Sequence, residues 1–422
     1  MKNRRILASV ISAGVLIASM VASVVPAHAA VDLKIGISQP ITGGLATYGP
    51  PSIAAAEFGV ASVSDAMKKA GVAGSCKVVG SEDDAASPAV AVEAATKLVK
   101  SNGANVIIGP LTSGATIAAA QSVTIPNKVV LISTAASSPT ISRMADNDLV
   151  FRTYASDALT SKAGALALVR EGYKGKQIAI AARNDAFGEG YARALRSAWI
   201  LNKGKVASFT LYNPSQASFD SDALKITSKA VDAFYIIGYE DDLAKLIPAL
   251  VRTGKWDPKK TFLNETINND ASAIKVGGPG AKLIEGVHGI ANAAAGFELA
   301  DWKKDFAKYA PKISQTFVDS SAFDAAVLAC LAGVHAGKSD GASISKSLRF
   351  VSGARGGTAY TYKELDKAVK DLAAGKAVSY TGPWGAVKFD AAGDSKAAVF
   401  DVYEVKGGKV VIDPKLQISY QK

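Results

Sequence analysis

Two hydroxyl-bearing turns carry the most chemistry in this 422-residue chain. In residues 106–142, VIIGPLTSGATIAAAQSVTIPNKVVLISTAASSPTIS, an apolar run ends in Gly109-Pro110 and the polar turn Thr112-Ser113-Gly114 opens a small-residue helix. After Pro126 a second apolar strand, 129–133, ends in Ala135-Ala136-Ser137-Ser138-Pro139. Two consecutive strand-to-helix turns of this kind put hydroxyls and free backbone N–H groups on one edge of a sheet. Strand carboxyl ends beside helix N-termini favour anionic groups there, so the chemistry expected is capture of a small carboxylate. A lone Ser in such a turn is more often a helix cap; the pair in successive turns points to a ligand.

Catalytic chemistry finds no support. The chain has no G-x-S-x-G elbow, no Ser/His/acid set and no HExxH or Cys/His metal cluster. His288 and His335 have no partner at metal-ligand spacing. The acidic run Glu82-Asp83-Asp84 lacks a His partner and ends a strand, where acids are solvated or cap the next helix. No catalytic residue, metal or cofactor is therefore expected.

The elements that must position the two turns follow from hydropathy. Apolar runs predict strands at 33–38, 76–82, 106–109, 129–133, 150–153, 178–182, 206–211, 233–238, 261–263 and 286–291. Helical stretches at 53–70, 88–101, 158–171, 189–202 and 243–253 lie between them. This alternation means right-handed βαβ units and parallel sheets. Helices on both sheet faces explain why 106–108 and 234–237 are apolar without alternation. A five-strand unit up to Thr153 is echoed from Ile178 to Leu263, and the length suggests two domains. The tail differs, with a helix at 363–374, Gly382-Pro383-Trp384-Gly385, and a terminal hairpin, 398–405 and 409–412, turned by Gly407-Gly408.

Lys2, Arg4 and Arg5, the apolar stretch 6–25 and Pro26-Ala27-His28-Ala29 read as a signal peptide cleaved after Ala29. No cysteine stands near the cleavage site, so lipidation is not expected, and a periplasmic location is. Losing three basic residues leaves 45 basic against 37 acidic, lowering the net charge from +11 to about +8. That excess is spread over Lys68-Lys69, Lys303-Lys304 and 367–370 among acids, a solvated surface and not a nucleic-acid stripe. Cys76 and Cys330 either pair in an oxidising compartment or, with Cys330 inside the apolar run 325–334, leave a buried thiol.

Ile41-Thr42-Gly43 through Tyr48-Gly49, the turn 109–113, Phe187-Gly188-Glu189-Gly190 and the run TGPWGAVKFDAAGD at 381–394 occur in one order. Together they resemble the type I periplasmic binding proteins of the leucine/isoleucine/valine class, the substrate receptors of amino-acid ABC importers, over nearly the whole mature chain. The resemblance implies an α/β fold of two doubly wound parallel-sheet lobes joined by a three-crossover hinge. The crossovers would fall near Ser156, near Asn292 and between 381 and 396. One lobe would be 30–156 plus 293–380, the other 157–292 plus 381–422.

It also implies a non-catalytic, monomeric receptor for a small amino acid, branched-chain favoured, that hands its ligand to a membrane ABC permease. The alternatives are an amide or an aromatic or short carboxylate, a sensor for a signalling partner, and, behind these, a secreted α/β hydrolase. Ser113 and Ser137 match the family's carboxylate-binding positions, with main-chain donors at Ala135. Glu265 and Tyr239 correspond to its ammonium ligands, and Tyr48 and Phe187 to its aromatic walls. Phe187 stands where relatives often carry Tyr, so one hydroxyl contact is missing. Asp157 either reaches the ammonium or caps the helix after it, the cap being favoured. Trp384 reads as structural, and the segment 336–380 has no functional reading.

Overall fold

A computed structural model describes residues 30–420; the expected signal peptide, 1–29, lies outside the described residues. Strands β1 (Val31–Gln39), β2 (Gly74–Asp83), β3 (Val106–Ile108), β4 (Val130–Ser133) and β5 (Val150–Arg152) pair in parallel, in the order β2-β1-β3-β4-β5. A second sheet holds β6 (Gln177–Arg183), β7 (Lys205–Tyr212), β8 (Ala233–Ile237), β9 (Thr261–Leu263) and β10 (His288–Ala293), also parallel. Two short strands, β11 (Thr358–Tyr360) and β12 (Val378–Tyr380), form a separate pair. The chain then adds β13 (Ala398–Lys406) to the second sheet, antiparallel to β10, and β14 (Lys409–Ile412) and β15 (Ile418–Tyr420), each antiparallel to β13.

Successive side chains on a strand point to opposite faces, and each central strand feeds two cores. In β3, Val106 and Ile108 join one core and Ile107 the other. In β8, Phe234 and Ile236 face one side while Ala233, Tyr235 and Ile237 face the other. The helix Gly49–Ala70 begins four residues earlier than expected because Pro50 and Pro51 occupy its first turn, where a missing N–H is harmless and φ is preset.

The helix Asp319–Ala336 is buried from Asp319 to Val334, apolar on every side as a central core helix must be. It lies against Gly49–Ala70 at Gly59, where a Cβ would stand 2.7 Å from the Phe323 carbonyl oxygen. It is also joined to β2 by a Cys76–Cys330 disulfide with a Cα–Cα distance of 5.8 Å, so the cysteines pair. The segment after it is scaffold: Gly341–Val351 packs on Asp319–Ala336, and Leu365–Ala373 on Gly49–Ala70.

The chain passes between the two sheets three times: from β5 into the helix Asp157–Leu168, from β10 into Leu299–Tyr309, and from β12 to β13. Asp324 anchors the third passage by accepting hydrogen bonds from the Tyr380 hydroxyl (2.8 Å) and the Trp384 N–H (2.9 Å). Buried Arg152, at the end of β5, pairs with Asp394 of the same passage at 2.7 Å. Among the described residues no single helix is long and apolar enough to cross a membrane.

One sequence expectation fails here. The turn after β4 does not open a helix; only the 3₁₀ turn Ile141–Arg143 follows. Pro139 brings no N–H, and the Arg152 guanidinium takes the Ala136 and Ser138 carbonyls, at 3.3 and 2.9 Å, that a helix would need.

Candidate functional site

The loops leaving β1, β3, β4 and β5 meet those leaving β6, β8 and β9 around one cavity, at the strand carboxyl ends where α/β sheets bind ligands. Its atom-free space, mouth included, is about 510 Å³. Seven residues expected from sequence to meet a ligand line it, Tyr48, Ser113, Ala135, Ser137, Phe187, Tyr239 and Glu265, while Asp157 does not. Leu45, Leu111, Tyr154, Thr266, Phe317 and Val318 complete the wall. Of these, Leu45 and Leu111 stand three and two residues from expected site positions. Phe317-Val318, ahead of the helix Asp319–Ala336, had no local signal, because the chain returns there from a distant stretch.

At one pole the hydroxyls are organised by the backbone. Ser113 opens the helix Ser113–Ala119, yet its Oγ caps nothing in that helix. It accepts instead from the N–H groups of Ser137 and Ser138, at 3.2 and 3.1 Å, stitching the two turns together. Its own proton is left to donate. With the Arg152 clamp on the carbonyls behind, the turn after β4 is braced from both sides. Ser137 is buried, and its carbonyl accepts from the Asp157 N–H at 2.7 Å, tying the turn to the first passage between lobes.

Acidic groups come from two places: Glu265 enters the wall after β9, and Asp157 is buried next to Ser137. Glu265 is 7% exposed and its Oε2 has no hydrogen-bond partner. Burial pushes its carboxyl up to about 7. Asp157 does not cap its helix; Ser156 does, its Oγ accepting from the Ala158 N–H at 3.3 Å. Asp157 is instead wholly buried, and neither carboxylate oxygen has a hydrogen bond of ordinary geometry. Burial first, and then the Glu265 charge, hold its carboxyl well above the usual carboxylate range, with the Ser137 hydroxyl and Arg152 pulling the other way. Two acids short of donors in one buried region suit a group bearing several N–H bonds.

The middle is apolar and aromatic. Phe187 and Tyr239 stack with centroids 5.1 Å apart and planes 5° from parallel. The Arg183 guanidinium lies 3.8 Å from the Tyr239 centroid, held by Asp185 and Asp242 at 2.6 and 2.8 Å, so the ring is pinned. Trp384 stacks on Tyr154 at 5.2 Å, which links the third passage to the cavity wall.

The acids Glu82-Asp83-Asp84 serve the loop after β1. Asp83 accepts from the Ile41 and Thr42 N–H groups at 2.8 and 3.1 Å, and buried Asp84 from the Ser38 hydroxyl at 3.1 Å. Glu82 pairs with Lys97 at 2.8 Å. Among the described residues no cluster of His, Cys, Asp and Glu is arranged to hold a metal ion.

The periplasmic binding protein family model matches residues 32–409. A Leu/Ile/Val-binding protein, BraC3, from Rhizobium johnstonii is 30% identical over 230 residues, 54% of this chain and 60% of its own length. The chain thus matches somewhat under two thirds of the length of such curated relatives. Among solved structures, a leucine-binding protein, LivK, from Thermotoga maritima superposes with a TM-score of 0.71 at 18% identity, covering 92% of this chain and 99% of that one. A solute-binding protein from R. palustris in complex with 4-hydroxybenzoate gives 0.71 at 16% identity, covering 93% and 98%. These are binding proteins, not enzymes. The chain belongs to the periplasmic binding protein family, and its fold is the type I fold of the leucine/isoleucine/valine-binding class.

Proposed function

We propose that this protein captures a small α-amino acid with an aliphatic side chain between its lobes, in the periplasm, and delivers it to an ABC import permease. The lobes would be 30–156 plus 293–380 and 157–292 plus 381–422. The observation that carries this reading is the make-up of the cavity wall: the unpartnered Glu265 Oε2 from the second sheet and the Ser113–Ser137 hydroxyl turn from the first, with Asp157 buried next to Ser137. An α-amino acid zwitterion meets both, its ammonium at Glu265 and its carboxylate at the hydroxyls. Leu45, Leu111, Phe317 and Val318 give an aliphatic side chain its surroundings. The names of the relatives, which bind leucine, isoleucine and valine, agree with this choice. A ligand touching both lobes favours the shut arrangement by its differential affinity.

A second reading, an aromatic carboxylate, is favoured by the stacked Phe187–Tyr239 wall and by the 4-hydroxybenzoate of the R. palustris structure. A thermal-shift screen separates the two. The chain from Ala30, refolded to remove bound ligand, is tested against the twenty amino acids, small amides and benzoates, since a ligand of the native state raises the melting temperature. Shifts with leucine, isoleucine or valine support the first reading. Shifts with benzoates alone replace it with the second and remove Glu265 from the role of ammonium partner.

A further inference from the structure

Among the described residues one direct side-chain hydrogen bond crosses the cleft beside the cavity. The Tyr48 hydroxyl, in the first lobe, donates to Glu240 Oε1 in the second at 3.0 Å, across 192 residues of sequence. Tyr48 immediately precedes the helix Gly49–Ala70, and Glu240 opens the helix Glu240–Arg252. Glu240 is held ready within its own lobe: Ser272 Oγ donates to the same Oε1 at 2.9 Å, and Lys275 Nζ lies 3.0 Å from Oε2. Lys275 is itself steered by Asp241 at 2.7 Å. Tyr48 is likewise held, its ring meeting Phe317 edge-on with centroids 5.7 Å apart. Burial and the neighbouring Glu240 both raise the phenol well above its ordinary range, so it remains a donor.

The two partners differ in what they touch. The Tyr48 ring is part of the cavity wall, whereas Glu240 lies outside it, on the mouth between the lobes. Among the described residues no side-chain hydrogen bond or ion pair joins the lobes at the opposite lip. There Gly190 sits so near the first lobe that a Cβ would be 2.6 Å from Ser138 Oγ and 3.1 Å from Pro139 Cδ. One lip therefore closes by bare backbone and the other by a charged hydrogen bond.

We infer that Glu240 is a positioning residue for ligand retention: it clasps Tyr48 across the cleft, so that a ligand packed on the Tyr48 ring is held by a carboxylate it never touches. The inference rests on the receptor reading above and adds a residue outside the cavity. The clasp forms only when the lobes meet, so it acts on the shut state and slows opening while leaving the encounter with ligand alone. It also turns the phenol hydroxyl away from the cavity, which leaves the ring as the surface that meets the ligand's side chain.

Stopped-flow binding of leucine to the full mature chain tests this. Glu240→Ala and Tyr48→Phe are each expected to speed dissociation about tenfold, the lower range for a hydrogen bond to a charged group, with association unchanged within about twofold. The double variant is expected to be no faster than either single one. Unchanged dissociation, or additive effects in the double variant, would overturn the inference, the latter because Glu240 would then act through Ser272 or Lys275 alone.

A second readout needs no ligand. Nitroxide labels on Lys69→Cys and Leu224→Cys, exposed positions in the two lobes, report the distance across the cleft, the native cysteines being paired. Glu240→Ala is expected to shift that distribution to longer distances; identical distributions overturn the clasp. If the parent binds no leucine, the choice of ligand fails while this distance still decides the clasp.

Discussion

Replacing Glu265 by Gln should strengthen the empty protein and weaken the loaded one. Burial lifts the Glu265 carboxyl from its ordinary value of 4.5 to about 7 in the folded chain. Between those values the folded state keeps a proton that the unfolded state has released. Stability therefore falls as pH rises through that window and levels off above it, because the folded state binds more protons there. At about 1.4 kcal/mol per pH unit, the gap amounts to roughly 3 kcal/mol lost by pH 8. Gln keeps the shape and has no charge to desolvate. Urea unfolding of ligand-free Glu265→Gln is thus expected to show a gain of up to about 3 kcal/mol at pH 8 and almost none at pH 4. The same change should weaken leucine binding by roughly 1.5–3 kcal/mol, the scale of a charged hydrogen bond, measured by titration calorimetry at pH 8. In the parent protein the ammonium must displace that proton below pH 7, so affinity should fall with acidification by at most about tenfold per pH unit. A stability change that is the same at both pH values, or a loss at pH 8, would refute the assignment of a desolvated carboxyl. Unchanged affinity would remove Glu265 from the site.

The hydroxyl pole makes a separate demand. Ser113→Ala with Ser137→Ala should abolish leucine binding while far-ultraviolet circular dichroism stays native; normal binding would put the carboxylate elsewhere. Opening the disulfide by Cys76→Ser with Cys330→Ser should lower the unfolding free energy by roughly 2–5 kcal/mol without moving leucine affinity at 25 °C, read by chemical denaturation and calorimetry.

The parallel frame was legible because its signal is local. Fully buried strands such as β8 need no alternation, and the small-residue turns mark where they end. The strand expected at 261–263 is β9 to the residue, and 106–109 overshoots β3 only by Gly109. The seven expected residues that line the cavity were reachable for the same reason, since each sits in or beside a loop at a strand's carboxyl end. Phe317 and Val318 were not, because their place in the wall depends on a helix returning from far along the chain. Asp157 was misjudged as a cap because Ser156, one residue earlier, takes the Ala158 N–H and leaves the acid free to be buried. The turn after β4 was misjudged because Arg152, a residue of β5, competes for its carbonyls. The first is a local competition between neighbouring caps, and in the second local propensity was overridden by a partner that only the folded chain supplies.

The cystine between β2 and Asp319–Ala336 spans 254 residues, and the whole run from β6 to β10 lies inside that ring. The second sheet's parallel strands are therefore an excursion whose departure and return are sealed to a common seam. A protease that nicks any loop between residues 77 and 329 linearises the ring without separating the pieces. Such a molecule runs as one band on a denaturing gel until thiol is added. The seam also sets an order of events: Cys76 emerges from any N-to-C export channel long before its mate, so it must stay unpaired until residue 330 has followed and the first lobe has both halves to close.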